Sequence, residues 1–376
     1  MIVNPWAGVG GPTGLRGSDG PEIRDAALAA GVIPRAGDRC GRFLDALTRR
    51  SASKLEMVVW GGPMGADLVA TTALACIVAG MPAHTPSTPD DTQAAARALA
   101  AAGVDLLVFV GGDGTARDVC AATGTRVPVL GVPAGVKMYS GVFAVSPEAA
   151  AEVVHRLVEG QPVTVQDAEV RDIDEEAFRQ DRVASRWFGD LRVPGTGNLV
   201  QQVKCGRPAN EVQEQRDIAE WVASRMEPGV VYLVGTGSTP KAVMDVLGLA
   251  GSLLGVDAVL DGECIATNLD GTGLAALVRR YPATRILLTV TGGQGFLLGR
   301  GNQQLSAEVL RAAGSGNLVI LATRDKLEAL AGRPLLVDTG DVALDRELAG
   351  LKEVVTGYDR RVLYRVAAAV DVGVEP

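Results

Sequence analysis

The chain has 376 residues, 47% hydrophobic and 21% charged, with 47 glycines as its one excess; the length predicts two domains with a cleft between them, and the glycines predict tight turns and backbone-lined sites. A net charge of −8 with no block of Lys or Arg excludes a nucleic-acid footprint, and the lack of a leader-like start or of any uninterrupted apolar run of about 18 residues predicts a cytoplasmic protein, neither exported nor membrane-spanning. The two histidines, His84 and His155, and the scattered cysteines Cys40, Cys76, Cys120, Cys205 and Cys264 exclude His-based triads, zinc sites and disulfide frameworks, leaving a carboxylate as the general base.

Lys54 to Trp60 reads as a strand, Gly61-Gly62-Pro63 as its turn and Met64 to Val78 as the following helix. A second helix starts at Thr88 or Asp90, runs through Ala95, Ala98, Leu99 and Ala102 at helical spacing, and stops at Gly103. Strand Val104 to Val110 follows at once, almost wholly apolar, as a parallel strand covered on both faces is. After a short helix comes strand Val127 to Val132, so residues 1–145 read as a doubly wound α/β domain. From Ser146 a helix carrying Ala149, Val153, Val154 and Leu157 leads to strands Val163 to Gln166 and Arg182 to Val193 around an acidic turn. Glu211 to Met226 reads as helix, and Val230 to Val234 as a strand entering the loop Gly235 to Pro240 before another helix. Strand Arg285 to Val290, loop Thr291 to Gly301, helix Ser306 to Ala313, strand Leu318 to Ala322 and a last strand Arg361 to Val366 complete a second, mixed α/β domain over residues 146–376. That domain is expected to complete an interdomain site, with its last strand able to return to the first domain.

A strand that ends in Gly111-Gly112-Asp113-Gly114-Thr115 and runs into a helix collects backbone N–H groups and a helix N-terminus at one point, a cradle for phosphate oxygens. Asp113 there can accept a hydroxyl proton during phosphoryl transfer or hold Mg²⁺ through water, and the sequence does not choose between the two. The plainer alternative is a tight turn with Asp113 as helix cap; placement beyond the carboxyl end of a buried strand, where open α/β sheets bind ligands, favours the site. Lys137, after a glycine turn, can neutralise transferring phosphate or simply be solvated. Arg117 reads as structural, and Asp118, in the first turn of the helix, can serve the helix dipole or orient a substrate. The run Gly292 to Gln304 gathers Gln294, Arg300, Asn302, Gln303 and Gln304 among glycines, a density of donors that suits a polar ligand or an intersubunit contact better than a solvated loop. The acidic run Asp172-Ile173-Asp174-Glu175-Glu176 lacks the ligand spacing of a calcium loop and reads as a solvated turn, so metal ligands stay unassigned.

Gly111 to Thr115 resembles the motif shared by the superfamily of NAD kinases, diacylglycerol kinases and sphingosine kinases. Ile2-Val3-Asn4-Pro5-Trp6-Ala7-Gly8-Val9-Gly10-Gly11 resembles its first-strand turn, and Pro133-Ala134-Gly135-Val136-Lys137 its second glycine-containing loop. Within that group the chain looks most like the ATP-NAD kinase-like proteins associated with acetoin catabolism, through Gly111 to Asp118, Val132 to Met138, Asp172 to Phe178, Gly292 to Phe296 and Gly299 to Gln304. The resemblance implies an NAD-kinase-like, doubly wound N-terminal domain, ATP with Mg²⁺, a homo-oligomer, and Asp113 as the base that activates a ribose 2′-hydroxyl. It implies phosphate or nucleotide contacts at Asn4, Gly10, Gly11, Gly111, Gly112, Gly114, Thr115, Gly135 and Lys137. It extends them to Thr236, Gly237, Ser238 and Thr239, similar to a Thr-Gly-Ser-Thr loop of NAD kinases, while Asp118, Gln294, Arg300, Asn302 and Gln303 remain candidates for substrate. The adenosine-recognising Asn-Glu pair of those enzymes has one candidate here, Asn210-Glu211. Beyond Val256 the chain departs from the family's predominantly β second domain, for which a different acceptor pocket is one explanation. The expected activity is phosphoryl transfer from ATP to a hydroxyl of a small molecule, with the 2′-hydroxyl of NAD(H) as first candidate. The alternatives are another small alcohol or nucleoside-like metabolite, or a nucleotide-binding regulator without turnover. A lipid acceptor fits less well, because no apolar membrane-docking helix is present.

Overall fold

The computed structural model describes residues 1–10, 25–27, 29, 31–51, 54–136, 138–173, 185–195, 199–200 and 211–372; Gly11, Lys137, Cys205, Asn210 and the acidic residues Asp174 to Glu176 lie outside them. The first half is built on parallel strands β1 (Ile2–Val3), β2 (Met57–Val59), β3 (Cys76–Val78), β4 (Leu107–Gly111) and β5 (Val129–Pro133). β1, β4 and β5 form one sheet and β2 and β3 another. The Met1 nitrogen donates to the Val58 carbonyl and the Trp60 N–H to Met1 O at 3.2 Å, which joins them in the order β3-β2-β1-β4-β5. Helix α1 (Ala36–Ser51), after β1, shares one face with α5 (Pro147–Val158); α3 (Pro89–Ala101) and α4 (Asp113–Thr123), the latter after β4, share the other. The chain therefore leaves neighbouring strands β1 and β4 toward opposite faces, which opens a crevice beyond their carboxyl ends.

Local signals explain most of these elements. Ser146 caps α5 by accepting the Ala149 N–H at 3.0 Å, and α1 carries Asp38 in its first turn and Arg49 and Arg50 in its last, each matched to the helix dipole. The expected helix from Met64 to Val78 is corrected: a short helix α2 (Ala66–Val69) ends where the Thr71 and Thr72 hydroxyls donate to the Leu68 and Val69 carbonyls. Cys76–Val78 is then the edge strand beside β2. Hydroxyls bonded back to helix carbonyls compete with helix continuation.

β6 (Thr164–Ile173) and β7 (Ser185–Gly195) form an antiparallel hairpin that packs against α4. The rest of the chain builds a nine-stranded mixed sheet in the order β10-β9-β8-β11-β13-β15-β16-β14-β12. Its strands are β8 (Val231–Val234), β9 (Asp257–Leu260), β10 (Glu263–Ala266), β11 (Thr284–Thr289), β12 (Phe296–Leu298), β13 (Leu318–Leu321), β14 (Leu335–Val337), β15 (Gly350–Gly357) and β16 (Arg360–Ala368). β8, β11, β13 and β15 run parallel. Alternate residues enter two cores: Leu233, Ile286, Leu288 and Ile320 meet α8 (Gly271–Arg280) and α9 (Ala307–Ala313) on one face, while Val234, Leu287 and Leu321 meet α6 (Glu211–Ala223) and α7 (Ser238–Val246) on the other. β16 pairs within this sheet, and Phe296, Leu336 and Ala369 reach the core of the first half. The chain is thus mixed α/β in both halves. Cys40, Cys76, Cys120 and Cys264 are free thiols, and no helix among the described residues is long and apolar enough to cross a membrane.

Candidate active site

Three loops knit together at the β1/β4 crevice. The Ala134 and Gly135 N–H groups both donate to Gly111 O, at 2.9 and 3.1 Å, which lays the loop after β5 across the end of β4. A Cβ on Gly135 would stand 2.7 Å from the Gly112 Cα, and one on Gly112 would stand 2.9 Å from the Gly135 Cα; the backbones cross so closely that only glycine fits at either position. The loop after β1 touches the same point, because Gly8, at φ +83°, would direct a Cβ to within 2.4 Å of the Ala134 carbonyl oxygen. Gly135→Ala is therefore expected to cost about 1–3 kcal/mol, read as a lower denaturant midpoint at unchanged slope.

Asp113 opens α4 and is 7% exposed. Its Oδ2 accepts the Tyr139 N–H at 2.6 Å and its Oδ1 the Ser140 N–H at 3.1 Å, so two amides fix the carboxylate's direction. The Tyr139 phenol is pushed up to about 12, first by burial and then by the Asp113 charge. Ser140 is tied in turn to the hairpin, its hydroxyl donating to Arg171 O at 3.1 Å and accepting the Arg171 N–H at 3.0 Å. Asn4 Nδ2 donates to Thr115 Oγ1 at 2.9 Å, while Asn4 Oδ1 accepts the Trp6 N–H at 3.0 Å. Asn4, Gly111, Gly112, Asp113, Gly114, Thr115 and Gly135 thus gather around the ends of β1, β4 and β5, and Gly10 follows seven residues after β1. Asp118, buried on the same helix, has Arg117 Nε at 3.7 Å from its Oδ1. Gly11 and Lys137 lie outside the described residues.

The polar run Gly292 to Gln304 is a latch between the two halves. Gln294, 2% exposed, donates through Nε2 to the Met138 carbonyl, next to the residue that holds Asp113. Gln303 Nε2 donates to Val136 O at 2.7 Å and to Gly299 O at 3.1 Å, and the Gly301 N–H reaches the same Val136 carbonyl at 3.1 Å. Asn302 braces its own loop, accepting the Gly299 N–H at 2.9 Å and donating to Leu297 O at 2.9 Å. Arg300 Nη1 donates to Asp338 Oδ2 at 3.1 Å and Nη2 to Val145 O at 3.3 Å. Arg39 of α1 reaches the same Asp338 oxygen at 2.6 Å. The amides and the guanidinium thus hold protein backbone and Asp338. Sequence reading missed Arg39, Asp338 and Tyr139, whose partners are remote in the chain.

Thr236 to Thr239 lies apart, at the end of β8. Gly237, at φ +116°, precedes α7; Gln215 Nε2 donates to Ser238 Oγ at 3.1 Å and to Glu211 Oε1 at 3.0 Å. Lys326, which the sequence reading passed over, donates to Thr239 Oγ1 at 3.2 Å; its one signal is a position just past an apolar strand.

Among the described residues no group of three or more His, Cys, Asp or Glu side chains could hold a metal ion. A single carboxylate at the start of a helix, beside glycine loops, fits Mg²⁺ of the kind carried in on nucleotide phosphates, which keeps most of its waters. The family models for the ATP-NAD kinase N-terminal domain and the ATP-NAD kinase C-terminal domain match residues 33–162 and 228–366. No curated protein and no solved structure matches the chain. With both domains matched in order across most of its length, the chain belongs to the ATP-NAD kinase-like family.

Proposed function

We propose that the protein transfers the terminal phosphoryl group of ATP to a hydroxyl of a small molecule at the β1/β4 crevice, with the 2′-hydroxyl of NAD or NADH as the first acceptor. The observation that carries this reading is Asp113, a buried carboxylate aimed by the Tyr139 and Ser140 amides at the point where three glycine loops cross. In this reading the backbone of Gly111, Gly112, Gly114 and Gly135, with Asn4 and Thr115, receives ATP phosphates at the start of α4. Asp113 orients the acceptor hydroxyl and takes its proton as the bond to phosphorus forms. Magnesium, when bound with ATP, neutralises charge on the phosphate oxygens. Lys137 and Asp118 are proposed to face the same substrates, and Thr236 to Thr239 the acceptor. The motifs shared with the acetoin-associated branch support a place there, and the mixed α/β second sheet supports an acceptor other than NAD as the second reading. Incubation with γ-labelled ATP and either NAD, NADH or a panel of small alcohols and nucleosides separates the two: label in NADP(H) supports the first, label in another product the second.

The Gln294 latch gives the reading a further test. Without its bond to the Met138 carbonyl, the segment that aims Asp113 loses its anchor, and displacements of about 1 Å in such geometry lower rates by up to about 100-fold. Gln294→Ala is expected to reduce kcat by roughly 10- to 100-fold in steady-state assays; an unchanged kcat assigns Gln294 to stability alone.

A further inference from the structure

The second sheet has a crevice of its own. β8 and β11 are parallel neighbours, yet the chain leaves them toward opposite faces: α7 packs through Val243 and Met244 on one, and after β11 it returns through α9, whose Val309 and Leu310 pack on the other. Connections that diverge in this way open a ligand site beyond the strand carboxyl ends. Loops from β8, β11 and β13 meet there. A Cβ on Gly237 would fall 2.6 Å from the Thr289 Cγ2, so the first two loops touch. The third supplies Lys326, whose ammonium stands 3.2 Å from Thr239 Oγ1, 3.3 Å from Thr289 Oγ1 and 3.9 Å from Glu211 Oε1.

Two further features point to a ligand. Thr323, the N-cap of the short helix α10 (Arg324–Glu328), is 0% exposed and its hydroxyl has no hydrogen-bond partner. Three residues apart across the start of that helix, Thr323 and Lys326 lie on one side of it, and a buried hydroxyl left in this way calls for an outside partner. The second is the cation itself: the Lys326 ammonium lies largely buried between the Thr239 and Thr289 hydroxyls, with Glu211 Oε1 at 3.9 Å. An ammonium, three threonine hydroxyls and the amide end of α7 suit the several oxygens of a phosphate.

We propose that this is a second anion site, in which Lys326, with the hydroxyls of Thr239, Thr289 and Thr323, holds a phosphate carried by the acceptor. The assignment to the acceptor rests on the kinase reading above and on reach. Gln294 contacts Met138 beside the Asp113 cradle, and the five residue steps from Thr289 to Gln294 span at most about 17 Å. The turn closed by Gly295 N–H to Thr291 O, at 2.9 Å, shortens that path. A molecule with a phosphate at one end and a hydroxyl at the other bridges such a distance, while ATP occupies the glycine cradle.

Calorimetric titration of the full chain with inorganic pyrophosphate tests the site without turnover. Wild type is expected to show a saturable equivalent that Lys326→Met weakens at least tenfold, Thr289→Val weakens severalfold, and Lys326→Arg keeps within about threefold. Thr289→Val leaves the packing volume nearly unchanged, so it decides the matter if Lys326→Met folds poorly. Titrations of both variants that match wild type overturn the site. In turnover assays the acceptor KM is expected to rise at least tenfold in Lys326→Met with the ATP KM unchanged; a rise in the ATP KM alone overturns the acceptor assignment. If wild type turns over no acceptor, the kinase reading and the acceptor assignment fall together, and the pyrophosphate titration still decides the anion site.

Discussion

Asp113→Asn is expected to bind ATP with wild-type affinity and to lose roughly 10²–10⁴-fold in turnover, the range usually supplied by a positioned general base. The substitution preserves shape, and the Asn side chain retains one acceptor oxygen for the amides of Tyr139 and Ser140 that bracket the carboxylate at 2.6 and 3.1 Å. What it removes is the negative charge and the proton acceptor at the mouth of the cradle. Because the loops cross through backbone contacts between Gly111, Gly112, Ala134 and Gly135, the surface proposed to bind phosphate does not depend on that charge. Calorimetry for ATP and initial rates for ADP release separate the two effects. Undiminished turnover removes Asp113 from the reaction.

Asp338→Asn is expected to cost about 3–5 kcal/mol of stability, the range found when one partner of a buried ion pair is removed. Asp338 is 1% exposed and lies between Arg39 of α1 and Arg300 of the latch, so its charge joins the first helix to the second sheet. Its loss removes the carboxylate oxygen that both buried guanidinium groups contact. Burial works against the Asp338 charge, but the Arg39 and then the Arg300 guanidinium overcome it and hold the carboxyl well below the usual carboxylate range. The sign follows: a depressed native value means that the unfolded chain takes up a proton near pH 4 that the folded protein refuses. The contribution is complete above about pH 5 and fades as pH falls below about 4. Denaturant titrations from pH 7 to pH 3 are therefore expected to show the gap between wild type and Asp338→Asn narrowing with acidity; a constant gap contradicts this role.

Much of the first half was legible in the sequence because its signals are local. Strand β4 is an unbroken apolar run that ends in glycines, α3 stops before Gly103, and Ser146 caps α5, so neighbouring residues determine each element. The helix expected over Met64 to Val78 failed because Leu74 to Val78 is a short apolar run that fits either period, and pairing with β2, set by tertiary structure, decides for strand. The asymmetry was sharper at the site. Gly111 to Thr115 announced itself through glycine spacing, whereas the contacts that aim Asp113 come from Tyr139 and Ser140, 26 and 27 residues away. The donors of Gly292 to Gln304 suggested an open polar loop, yet the carbonyl of Met138 accepts from Gln294 across 156 residues. Lys326 gave no signal beyond its place after a strand, because its significance lies in the two hydroxyls brought to it by β8 and β11.

The most direct test of the central claim is ADP release from ATP and Mg²⁺ by the 376-residue chain, measured with and without NAD, NADH and a panel of small alcohols, nucleosides and their phosphate esters. Acceptor-dependent, saturable release is the predicted result. Stoichiometric ATP binding with no release above background for any acceptor contradicts it and makes the protein a nucleotide-binding regulator.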